Sequence, residues 1–202
     1  MKTDMIQVSA RGNRMEAAME QVDKVIAYKG LTGKNALHLR LLAEEMMGLM
    51  RSVTGEGEGL FWIEDEDNEF RLHLQVQARL TGEKKDQLLE VSSSGRNESA
   101  KGLMGRIRDF FDWGSDGDLY AFSSPLMIQD SYWSGTNATL DWEWSMRRYE
   151  AALYPQVEKN DPAAQEAWDE LEKSVVKHVV DDVKVYIRNG TVELVILKKF
   201  AV

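Results

Sequence analysis

Apolar residues recur along the chain with two different spacings, and the spacing divides it into helices and strands. Residues 5–10 read as a short β-like start. From 13 to 28, Met15, Ala18, Met19, Val22, Val25 and Ile26 fall three and four apart, the repeat of a helix with one buried stripe. Gly30 ends it. A second helix opens at Gly33 or Asn35 and runs to about 53, with Leu39, Leu42, Met46, Leu49, Met50 and Val53 along one side. Gly55, Gly57 and Gly59 then interrupt the pattern. Two strands follow, 60–64 and 69–80, joined by an acidic turn. In the second, Phe70, Leu72, Leu74, Val76 and Ala78 alternate with Arg71, His73, Gln75 and Gln77, which predicts a sheet with one buried face.

Beyond Gly82 the spacing predicts short helices over 83–91 and 103–111, separated by a small, polar loop, SSSGRNESAKG (92–102). Regularity then fails. All three prolines and most of the eighteen aromatics lie between 110 and 162, which predicts a segment packed down on the domain rather than a disordered one. A helix over 141–153 is expected inside it. Asp161-Pro162 marks an N-cap followed by proline at the first helical position, opening a helix to about 180. Val183, Val185 and Ile187, then Val192, Leu194 and Ile196, flank Asn189-Gly190, the residue pair preferred in a type I′ hairpin. No internal repeat is visible. The order predicts an α+β two-layer sandwich, a mostly antiparallel mixed sheet with helices on one face.

Length and charge narrow the functions. A chain of 202 residues is read as a single domain (1–202) carrying an aromatic-rich insert (113–160), and it has no cysteine, which excludes disulfides, thiolate metal sites and cysteine nucleophiles. The net charge of −9 repels phosphate backbones and anionic lipid, so neither nucleic acid nor membrane is expected as a partner. The absence of a long apolar run or a signal-peptide core leads us to expect a cytoplasmic protein.

Candidate chemistry is sparse. His38, His73 and His178 are far apart, acidic pairs such as Glu44-Glu45 diverge, and no metal ligand set is expected. On a helical wheel Glu44, Gly48 and Ser52 share one flank with Leu37 and Leu41. A carboxylate, a bare backbone and a hydroxyl on successive turns suit a cleft; the plainer reading is a solvated charge beside a glycine that allows close packing. The loop with Ser93, Gly95, Arg96, Lys101, Gly102 and Gly105 leads into a helix and offers backbone N–H groups to an anion, although such loops are common at any strand-to-helix junction.

These two places, with the final hairpin RNGTVELVILKKF, resemble the ATP-binding module (the Bergerat fold) shared by gyrase, histidine kinases and anti-sigma-factor serine kinases. LLAEEMMGLMRSVTGE looks like that family's first motif and places its catalytic glutamate at Glu44; the magnesium-binding asparagine is replaced by Gly48. VSSSG stands where an adenine-reading aspartate is expected, and KGLMGRIRDFF resembles the glycine turn that opens the next helix. The resemblance implies a nucleotide site of Gly48, Ser52, Ser93, Gly95, Lys101, Gly102 and Gly105. ATP or ADP is then expected to bind weakly or not at all, with Mg2+ short of a ligand.

The expected function is a regulatory protein-binding module akin to anti-sigma factors on this degenerate ATPase fold. The alternative is a working, divergent ATP-binding protein or serine kinase with Glu44 as base, and a third reading is a small-molecule sensor closed by the aromatic insert. Trp133, Trp142 and Trp144 are the candidate docking aromatics, for a protein partner or a homodimer contact.

Overall fold

The computed structural model describes residues 1–9, 14–54, 58–77, 142–188 and 191–200. Strand β1 (Ile6–Ser9) leads to helices α1 (Arg14–Lys29) and α2 (Gly33–Thr54), then to strands β2 (Glu58–Glu66) and β3 (Glu69–Gln77). After the undescribed stretch come β4 (Trp142–Ser145), helices α3 (Met146–Glu158), α4 (Pro162–Glu172) and α5 (Val175–Val179), and the closing strands β5 (Asp182–Arg188) and β6 (Thr191–Lys199). The architecture is α+β. The strands form one sheet in the order β1-β2-β3-β6-β5-β4, and every pairing among the described strands is antiparallel. A mixed sheet was expected; the described strands include no parallel pair.

The predicted elements near the N-terminus form for the predicted reasons. Gly30 adopts φ +63°, and the amides of Gly30 and Leu31 donate to the carbonyls of Ala27 and Ile26, closing α1 with a left-handed cap. The β2–β3 turn is Asp67-Asn68, both at positive φ (50° and 63°), the geometry of a type I′ hairpin. Gly59 is needed because a Cβ there would meet the Gln75 carbonyl oxygen at 2.8 Å.

Alternation along β2, β3, β5 and β6 points Phe61, Ile63, Phe70, Leu72, Leu74, Val76, Val183, Val185, Val192, Leu194 and Ile196 to one face. Leu39, Leu42, Met46, Met47 and Met50 of α2 and Val176 and Val179 of α5 are buried against them in the same core. The pairing of β3 with β6, and α2 on their apolar face, are as the alternation predicts.

Two expectations fail in the second half. Trp142–Ser145, placed by the sequence in a helix over 141–153, is a strand paired with β5; the helix begins only at Met146. Alternating aromatics favour the strand. Ser145 ends it as the N-cap, its hydroxyl accepting from the Arg148 amide at 3.4 Å. The helix expected from 162 to 180 is two helices, α4 and α5, broken at Lys173-Ser174. The break lets α5 turn Val176 and Val179 into the sheet core while α4 packs on α3. The Asp161 cap is present, its carboxylate accepting from the Ala164 amide at 3.1 Å.

The strand order reads the same outward from its centre. β3 pairs with β6 from Glu69↔Lys199 to Gln77↔Thr191, so a pseudo-twofold through His73↔Val195 carries β3 onto β6 with an offset of 122 residues (69 to 191, 77 to 199). Each half is strand, helices, hairpin. The repeat is invisible in sequence because the halves share the period of their strands and the length of their hairpins, not their side chains.

Candidate functional site

Helices α1 and α2 form an antiparallel hairpin, and an open groove of about 610 Å³ runs between them. From α1 it is lined by Met15, Glu16, Met19, Glu20 and Asp23, and from α2 by Arg40, Glu44, Met47 and Gly48. Helical spacing explains the set. Positions 40, 44, 47 and 48 share one flank of α2, and 15, 16, 19, 20 and 23 share one flank of α1. The lined stretch of α2, Arg40 to Gly48, is about 12 Å long at the helical rise.

Methionine and glycine give the groove its apolar surface. Met47 is buried at its base, and Met15 and Met19 are partly buried. A Cβ built on Gly48 has nothing within 4 Å. The glycine therefore does not serve close packing of the described helices; it leaves space.

The rim is charged. Arg40 donates two hydrogen bonds across the groove to Asp23, at 2.6 and 2.8 Å, and its Nε lies 3.5 Å from Glu44 Oε1. Glu20 is paired with Lys24 at 2.8 Å. The Lys24 ammonium holds the Glu20 carboxyl below the usual carboxylate range. The lining carries four acids, Glu16, Glu20, Asp23 and Glu44, against one base, Arg40.

Glu44 and Gly48 are thus brought together on one concavity, as the wheel suggests, but the wall opposite them is α1. Glu44 is 54% exposed and ion-paired, a setting unlike the desolvated pocket that tunes a catalytic carboxylate. Leu37, on the same flank, is 64% exposed. Ser52 lies in α2 one turn beyond Gly48. Ser93, Gly95, Lys101, Gly102, Gly105 and Trp133 lie outside the described residues, and with them the expected meeting of Glu44 with the 92–105 loop. Trp142 and Trp144 belong to β4, the last strand of the order.

Sequence reasoning missed the α1 wall. Its signal was present: Met15, Met19 and Asp23 repeat every four residues, with Glu16 and Glu20 beside them, and a short turn at Gly30 forces α1 back along α2.

The histidines are accounted for separately. His73 lies on the sheet face away from the helices, buried, stacked on Trp62 (4.6 Å between centroids, 9° between planes), with Nδ1 2.8 Å from Glu193 Oε1. Its Nε2 is buried without a hydrogen-bond partner, 3.7 Å from Glu64 Oε2. His178 Nε2 meets the Glu172 carbonyl at 2.7 Å. Burial, and then repulsion from Lys34 and Lys198, holds His38 below its ordinary value. Among the described residues no three of His, Asp or Glu stand together to hold a metal ion, and no helix is long and apolar enough to cross a membrane.

No family model, no curated protein and no solved structure matches the chain at a significant level.

Proposed function

We propose that this chain is a regulatory protein-binding module on a degenerate histidine-kinase-like ATPase fold, akin to anti-sigma factors, with weak or absent ATP binding. The strand, two helices and hairpin, with the later helices and closing hairpin, support the fold reading, and β4 is an added strand that departs from it. The observation that carries the function is the groove itself: Glu44 and Gly48, the two positions nearest a catalytic motif, face an open, methionine-floored surface between two helices. Gly48 offers magnesium no side-chain oxygen, and Glu44 is held by Arg40 at a solvated rim. Methionine adapts to varied apolar partners and is favoured where a surface must accept another chain.

Calorimetry with ATP, with and without magnesium, tests this reading. No heat of binding at micromolar protein is expected. A micromolar, magnesium-dependent affinity would overturn it and establish the ATP-binding alternative with Glu44 as base.

A further inference from the structure

The fold builds a helical hairpin twice, and along the flank of the first lies an open groove. In the second half, α3 and α4 close on each other through Tyr149, Leu153, Ala164 and Ala167, with Val157 and Trp168 packed alongside and the Tyr154 ring 5.9 Å from that of Trp168. In the first half α1 and α2 bury Ala18, Val22 and Val25 together with Leu39, Leu42, Ala43 and Met46 in the main core, and the groove along their flank is lined, among the described residues, by Met15, Met19, Met47 and the vacant side of Gly48 rather than by a ring. A third helix laid in such a groove buries the methionines and completes a three-helix layer.

The charge of the rim selects the occupant. Four carboxylates face one guanidinium, and that guanidinium is already bound by Asp23 and Glu44. Glu20 is paired with Lys24, so the four acids less Arg40 and Lys24 leave two net negative charges, which an acidic or neutral helix would not compensate. A helix with Lys or Arg beside its apolar stripe would compensate that remaining negative charge while its leucine-like side chains meet the methionines. The groove length of about 12 Å, extended by exposed Leu37 one turn before Leu41, matches two to three helical turns.

We infer that the α1–α2 groove receives a basic amphipathic helix of a partner protein. This rests on the protein-binding reading above and names the partner's chemistry.

The test uses the full chain and a synthetic probe: a fluorescein-labelled, acetylated 15-residue leucine–lysine peptide with leucines three and four apart, and its counterpart with every lysine replaced by glutamate. Fluorescence anisotropy should show binding of the lysine peptide only, weakening as salt is raised, because exposed charges are screened over about 10 Å at 0.1 M. Gly48→Trp fills the groove at a site with space for a side chain and should weaken the lysine peptide at least about tenfold, the change expected when a central contact worth ~1.4 kcal/mol is lost. Glu20→Lys with Glu44→Lys, both at exposed positions, should do the same, with unchanged circular dichroism reporting an intact fold.

Equal binding of the two peptides, or equal binding of the lysine peptide to wild type and Gly48→Trp, would overturn the inference. So would a dimer of the free protein that Gly48→Trp dissociates, which would give the groove to a second copy. Failure of the peptide with no ATP binding removes only the basic-helix assignment, whereas micromolar magnesium-ATP binding removes the protein-binding reading beneath it.

Discussion

Replacing Gly48 by alanine should make the protein more stable, and the size of the gain follows from the helix and from the space around it. Gly48 lies in the interior of the 22-residue α2, where glycine costs about 0.8–1.0 kcal/mol relative to alanine because its backbone loses more freedom on folding. The added methyl would meet nothing within 4 Å, so no clash subtracts from that gain. Burial adds little, since the methyl points into open groove. The expected net is about 0.8–1 kcal/mol, or a rise of roughly 2–4 °C in the unfolding midpoint for a chain of this size. Urea unfolding at fixed pH, followed by far-ultraviolet circular dichroism, measures it through the shift in midpoint at unchanged slope. A loss of stability would show that a side chain at 48 meets a neighbour, and would refute both the open groove and the helix-filling logic built on it. The experiment separates two uses of a glycine. One needed for close helix packing is destabilised by alanine; one whose vacancy serves a surface is not.

Two further outcomes test the rest of the fold. Asp182, buried at the start of β5, accepts from the Ser145 hydroxyl (3.0 and 3.2 Å) and from the Arg147 and Val183 amides (3.2 and 2.9 Å), so Asp182→Ala should cost about 2–3 kcal/mol by orphaning these donors, read as a lower urea midpoint. A cost near zero would mean that this carboxylate does not tie α3 to the sheet. The Glu64 carboxyl is held below its ordinary value of 4.5, first by Lys2, against opposition from burial, with further help from Trp62 and His73. A depressed carboxylate adds stability that is fully present above the unfolded value and is lost as pH falls through the folded one. Wild type should therefore exceed Glu64→Gln in urea midpoint at pH 7, and the gap should narrow below about pH 4.5; a gap constant from pH 7 to 3 would sink the assignment.

The sheet was legible because its helix-facing side is apolar along its length, although Trp62, His73 and Val195 are buried on the other side. A strand with one apolar face must alternate, and that constraint exposes 60–64, 69–77 of the expected 69–80, and the two strands of the closing hairpin. The first two helices were equally plain, since their stripes must meet that face. What escaped notice depends on contacts that sequence spacing does not contain. Trp142–Ser145 is too short for alternation to separate it from the helix it precedes; Ser145 and its tether to Asp182, 37 residues away, decide where the helix starts. The break at Lys173-Ser174 likewise follows from two different surfaces, α3 and the sheet core, competing for one stretch of chain. Of the groove, the wheel gave Glu44 and Gly48 but not the α1 wall they face, because the wheel of one helix holds no information about its neighbour; the 92–105 loop lies outside the described residues.

The asymmetry between the halves is the strongest structural argument about function. The pseudo-twofold gives the chain two sheet halves of like register, and both bury their apolar residues on the helix face with the same alternation. Off that common frame the halves diverge in one respect that bears on partners. Both hairpins bury a seam, Leu153 and Ala164 in the second and Ala18, Val22, Leu39 and Ala43 in the first, but the first also presents methionines, a glycine and four carboxylates along an open groove on its flank. Stability alone would favour alanine at 48, since glycine costs the helix about 1 kcal/mol and a Cβ there meets nothing. A groove kept vacant at that cost, with its charge biased to one sign, is the feature on which the protein-binding proposal rests.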